Sequence, residues 1–141
     1  MSEIFAQYSR LEELPGLVEK IKSLIPSDAV IALKGELAAG KTTFVKSWAK
    51  SEGVEDTGSP TFSIQHIYGE RFRHYDLYRK EFEELYETGL VEEFEKPGLH
   101  FVEWMDERLG NLLLAGGLEL WEIEISPFEE GRIYRVKRMD E

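Results

Sequence analysis

The chain has 141 residues, about one domain's worth by the usual range of roughly 100 to 200. It carries 28 acidic residues against 17 Lys plus Arg, a formal charge of −11, which argues against holding DNA or RNA by charge neutralisation alone. It has no cysteine, which excludes a disulfide framework, a thiolate metal site and a Cys nucleophile. The acidity is uneven. Residues 81–131 hold fifteen Asp/Glu and two basic residues, whereas the first 80 residues hold eleven of each. The N-terminus lacks a basic flank followed by an apolar run, and no stretch approaches the roughly 20 apolar residues that cross a bilayer. The expectation is a cytoplasmic protein with no membrane and no DNA partner.

In chain order, Ser9 and Glu12 have capping-box spacing, and Leu11, Leu14, Leu17, Val18, Ile21, Leu24 and Ile25 then recur on one helical face. Pro15 and Gly16 weaken the start of that helix. Residues 29–33, Ala-Val-Ile-Ala-Leu, form a continuous apolar run typical of a strand covered on both faces. A glycine-containing loop comes next, then a helix over 41–51 with Phe44, Val45, Trp48 and Ala49 apolar. Residues 62–68 and 72–77 read as strands, joined through Gly69-Glu70 as a hairpin. Residues 81–88 have helical composition. After Pro97-Gly98, residues 99–102 read as a second buried strand that ends at Glu103. A short helix over 108–115 precedes residues 118–125, which alternate apolar and acidic like a half-exposed strand, and Ile133, Tyr134 and Val136 suggest a last strand beside it. Helices interleaved with strands predict an α/β fold, a P-loop NTPase-like single domain over 1–141 with a mixed central sheet flanked by helices.

The chemistry concentrates in Gly35-Glu36-Leu37-Ala38-Ala39-Gly40-Lys41-Thr42, which satisfies G-x-x-x-x-G-K-[ST] between a predicted strand and a predicted helix. Glycines let consecutive backbone N–H groups converge on phosphate oxygens, and the helix N-terminus adds its positive dipole end. Lys41 reaches the β- and γ-phosphates in such a loop, and the Thr42 hydroxyl ligates Mg²⁺. A chance match in a chain of this length has a probability on the order of 0.5%. A nucleotide site also needs a carboxylate for Mg²⁺, and two are candidates: Glu103 at the end of its buried run, and Asp76 in His74-Tyr75-Asp76. Ser59, Thr61 and Ser63 are turn formers by default, yet a Thr in this position can also sense a γ-phosphate. No Asn-Lys-x-Asp motif occurs to read guanine, so ATP is the expected nucleotide.

With the phosphate loop through Thr43, Ser59-Pro60-Thr61-Phe62, His74-Tyr75-Asp76-Leu77-Tyr78-Arg79 and Val102-Glu103-Trp104 in this order, the chain resembles the bacterial TsaE family over residues 9–132. These are small ATPases of tRNA threonylcarbamoyladenosine synthesis. The resemblance implies ATP held by residues 35–43, with Mg²⁺ on Thr42 and Glu103. It also implies Asp76 as the catalytic carboxylate, Thr61 in a switch-like loop, and Trp104, Arg132 and Ser9 near the nucleotide. It implies TsaB and TsaD as partners, with tRNA met through that complex. Two departures stand out. Ala38 replaces a usual glycine, which costs about 1 kcal/mol if that position needs φ > 0, and Glu13 stands where a Thr is common. Two other readings of the same loop are a small-molecule kinase, disfavoured by a single arginine in 81–131, and a nucleotide-binding regulator that hydrolyses nothing.

Overall fold

A computed structural model of the chain describes residues 2–36, 40–54, 65–78 and 80–140. Among the described residues seven strands form one mixed sheet: β1 (Ser2–Ser9), β2 (Ala29–Lys34), β3 (Gln65–Tyr68), β4 (Phe72–Asp76), β5 (Leu99–Glu103), β6 (Leu120–Phe128) and β7 (Gly131–Met139). Their order is β1-β7-β6-β2-β5-β4-β3. The central strands β4, β5, β2 and β6 are parallel, and β1, β7 and β3 join antiparallel at the margins. The α/β fold with a mixed sheet flanked by helices is the one expected from the sequence.

Helices α1 (Leu14–Lys22) and α2 (Lys41–Ser51) cover one face. Leu14, Leu17, Val18 and Ile21 from α1 and Phe44, Val45, Trp48 and Ala49 from α2 bury the 3.6-residue stripes visible in the sequence against Ile31, Leu33, Phe101 and Ile123. Helices α3 (Phe82–Glu87), α4 (Leu90–Glu93) and α5 (Glu107–Ala115) close the opposite face over Val30, Tyr75, Leu77 and Val102. Among the described residues no helix is long and apolar enough to cross a membrane.

Three local expectations change. The first helix starts at Leu14 and not at Ser9, because Pro15 fits only the first turn and a 3₁₀ turn at Leu11–Glu13 leads into it. Ser9 instead ends β1, a strand the sequence conceals: its register with β7 shifts between Glu3 and Phe5, so the bulge breaks the two-residue alternation and leaves Ile4 exposed. Strand β6 is not half-exposed near its start, since Glu122 is buried and lies 3.1 Å from Lys34 Nζ and 3.7 Å from Lys137 Nζ. Residues 62–64 of the predicted hairpin lie outside the described residues.

At the amino ends of the parallel strands, Ala29 N donates to Gly98 O at 3.1 Å, Leu99 N to Arg71 O at 2.8 Å, and Gly98 N to Asp28 Oδ1 at 2.8 Å. Gly98 has φ +116°, and a Cβ there would be driven into the Arg71 carbonyl. Under α4 lies a buried polar chain. His100 Nε2 donates to Lys96 O at 2.7 Å, so Nδ1 is left to accept from Tyr75 Oη at 2.8 Å, and Tyr75 Oη accepts from Gln65 Nε2 at 3.3 Å. Burial pushes the His100 imidazole below its ordinary value against the raising effect of the Lys96 carbonyl, and burial also raises the Tyr75 phenol.

Two outcomes are expected. Gly98→Ala lowers the unfolding free energy by roughly 3 kcal/mol in chemical denaturation, and a loss under about 1 kcal/mol contradicts the close approach. Because folding depresses the His100 pKa, its contribution is complete above the unfolded value of about 6.5 and declines as pH falls through the folded value. His100→Gln therefore shows a shallower loss of stability than the parent as pH falls below about 6.5; parallel curves contradict a neutral buried imidazole.

Candidate active site

The parallel register sets the site. Strand β2 runs its apolar residues out to Gly35, and β5 beside it pairs Leu33 with Glu103, so the loop and the acid emerge at the same carboxyl edge of the sheet. Strand β4 continues the row by pairing Asp76 with Glu103, and Leu77 N donates to Glu103 O at 3.1 Å. Ligands of open α/β sheets collect at this edge.

Gly40 caps α2 with φ +98°, and Phe44 N donates to its carbonyl at 3.0 Å. The positive φ favours glycine here, and a Cβ would stand 2.8 Å from Arg132 Nε, so that the arginine side chain would have to shift. Arg132, far away in sequence, thus lies beside Gly40, and β1 brings Ser9 opposite it in register. Ser9 is buried and its Oγ donates to Arg10 O at 2.9 Å. Thr42 and Thr43 are exposed on the first turn of α2, as is Glu36 two residues past the end of β2. Leu37, Ala38 and Ala39 lie outside the described residues, as do Ser59, Pro60, Thr61, Phe62 and Arg79.

Lys41 is only 3% exposed. Its Nζ donates to Gly35 O at 2.9 Å, lies 3.6 Å from Glu103 Oε1, and sits 4.0 Å from the Trp104 ring centroid. Glu103 is also buried, and its Oε2 lies 2.5 Å from His74 Nε2. Burial alone would raise the Glu103 carboxyl, but the His74 hydrogen bond and charge, with the Lys41 ammonium, outweigh it and hold the group below the ordinary carboxylate range. The site thus keeps an anion beside a cation out of water.

Trp104 has φ +63°, an uncommon conformation for a bulky residue, and is partly exposed with its ring 5.1 Å from that of Tyr78. Asp76 is exposed, and its Oδ1 accepts from Tyr78 N at 3.0 Å, so its carboxylate is oriented by its own turn. A cleft of about 260 Å³ lies between Lys34, Gly35, Lys41, Trp104 and Met105. Among the described residues no group of three or more His, Asp or Glu could hold a metal ion. Thr42 and Glu103 are hard oxygen donors, which fits Mg²⁺, an ion that takes one or two protein ligands and completes its shell with phosphate oxygens and water.

His74 is the residue whose part the sequence leaves unassigned. It stands out only as the head of the His-x-Asp pattern, and its contact with Glu103 spans 29 positions.

A family model described as threonylcarbamoyl adenosine biosynthesis protein TsaE matches residues 8–134. Relatives described as tRNA threonylcarbamoyladenosine biosynthesis protein TsaE include one from Nostoc sp., 36% identical over 120 residues and covering 74% of each chain. Another, from Aquifex aeolicus, is 38% identical over 100 residues, covering 66% of this chain and 70% of that one. A third, from Bacillus subtilis, is 36% identical over 97 residues, which cover 66% of this chain and span 61% of the relative's length. The crystal structure of Bacillus subtilis YdiB superposes with a TM-score of 0.61 at 23% identity, covering 96% of this chain and 86% of that one, a similarity of fold. With a family match from residue 8 to residue 134, this chain belongs to the TsaE family.

Proposed function

We propose that the chain binds ATP with Mg²⁺ at the carboxyl edge of the sheet and hydrolyses it in the service of tRNA threonylcarbamoyladenosine synthesis. The observation that carries this reading is the buried Lys41 ammonium, held between Gly35 O and Glu103 at the start of a helix. A lysine kept dry beside a phosphate loop is positioned to exchange its internal partners for phosphate oxygens. Residues 35–43 cradle the triphosphate, the macrodipole of α2 favours it, and Arg132, Ser9 and Trp104 border the nucleotide. Thr42 and Glu103 hold Mg²⁺, which when bound offsets charge on the β- and γ-phosphates.

Asp76 orients or deprotonates the attacking water. It stands one strand from Glu103 at the same edge, exposed and therefore able to meet solvent water. The water oxygen bonds to the γ-phosphorus, the bridging bond to ADP breaks, and the water proton passes to the carboxylate or to solvent. Thr61 belongs to the segment that senses the γ-phosphate. TsaB and TsaD are the partners and bring the tRNA, in keeping with the acidity of this chain.

Lys41→Ala is expected to lose ATP binding in calorimetric titration and phosphate release together; normal turnover by this variant contradicts the phosphate-loop reading. Asp76→Ala keeps ATP affinity within about threefold while phosphate release falls about 100-fold or more. Lost affinity with unchanged turnover per bound ATP removes Asp76 from the chemistry. Adding TsaB, TsaD and tRNA to the wild-type chain raises phosphate release, and an unchanged rate contradicts the partner assignment.

A further inference from the structure

We infer that His74 is a positioning residue: it holds one oxygen of Glu103 so that the other stays aimed at the phosphate loop when Lys41 leaves it. The inference rests on the nucleotide reading above and goes beyond it by giving His74 a role.

The two carboxylate oxygens of Glu103 have different company. Oε2 is 2.5 Å from His74 Nε2, a short and strong hydrogen bond, whereas Oε1 is 3.6 Å from Lys41 Nζ, too long for one. His74 is as enclosed as its partner, with 6% exposure against 7%, so neither group can fall back on water. Alternate residues of a strand share a face, and His74 therefore stands on the same side of β4 as Asp76, reaching over to the neighbouring β5 and the acid two positions beyond its register partner Phe101.

Once phosphates draw Lys41 away, Glu103 loses its cationic neighbour, and a buried carboxylate stripped of its partner is costly and prone to turn toward any donor in reach. His74 keeps Oε2 bonded throughout, which fixes the carboxylate plane and leaves Oε1 as the single oxygen presented to the loop. Outer partners of metal-binding carboxylates act in this way, and losing one typically costs roughly 10- to 100-fold in metal affinity.

The test is the Mg²⁺ dependence of binding a fluorescent, non-hydrolysable ATP analogue, measured on the full chain for the wild type, Glu103→Ala, His74→Ala and His74→Gln. The Gln amide nitrogen can replace Nε2 as the donor. The expected result is a half-saturating Mg²⁺ concentration raised about tenfold or more in His74→Ala and restored to within about threefold in His74→Gln. Affinity in EDTA should be unchanged in both, a separation that a purely structural role would not produce. An unshifted Mg²⁺ titration in His74→Ala overturns the inference, as does equal impairment of the two variants or a loss of EDTA affinity in step with the Mg²⁺ effect. If His74→Ala does not fold, His74→Gln decides alone, since a shift of about tenfold there overturns the donor role and a near-normal titration supports it. A wild-type chain that binds no nucleotide overturns the ATP reading itself. Wild-type Mg²⁺ dependence that is lost in Glu103→Ala but intact in His74→Ala overturns only the part given to His74.

Discussion

A lysine ammonium removed from water needs an anion, and here Glu103 supplies it across 3.6 Å. Much of the site's construction serves that pairing. The acid and the lysine sit far apart in sequence, and what joins them is the parallel pairing of β2 with β5, which sets Leu33 beside Glu103 and delivers Gly35 to the same edge. Because both strands are covered on two faces, a shift in register by one residue would turn Glu103 from the side of α2 to the side of α5 and expose apolar residues to the wrong core. Packing therefore fixes the electrostatics.

The same edge collects groups that differ in how wet they are. Lys41, Glu103 and His74 are enclosed, while Asp76, Thr42 and Trp104 face solvent. A dry cation–anion pair next to exposed oxygen donors is an arrangement that holds its charges in place while leaving the neighbouring donors open to water. The chain's overall charge of −11 bears little on this edge. Of the acids in residues 81–131, Glu103 and Glu122 are buried against lysines or a histidine, and Glu93 receives Gln65 Nε2 at 3.2 Å and Lys96 Nζ at 2.8 Å. The acidic block is thus partly internal structure and not wholly a solvated face.

Features with a local signature are legible in the sequence. The apolar run at 29–33, the loop motif and the stripe Phe44, Val45, Trp48 and Ala49 each depend on neighbours within a few positions, and the structure carries β2 and α2 there. Features that depend on distant partners are not. Strand β1 is hidden by its bulge at Ile4, and the burial of Glu122 requires Lys34 and Lys137 from two other strands. The contact of Gly40 with Arg132 and the bond from His74 to Glu103 arise only when the sheet assembles. Ser9 has the spacing of a helix start, whereas Pro15 moves the helix onset to Leu14.

Lys41 and Glu103 are, in this proposal, a preset phosphate and metal site whose internal pairing gives way to the ligand. A crystal structure with Mg²⁺ and a non-hydrolysable ATP analogue tests that claim most directly. The expected result is Lys41 Nζ on phosphate oxygens, Glu103 in the metal's coordination shell, and His74 still bonded to Glu103. Nucleotide bound elsewhere, or bound at the loop with Lys41 still seated between Gly35 and Glu103, would contradict it.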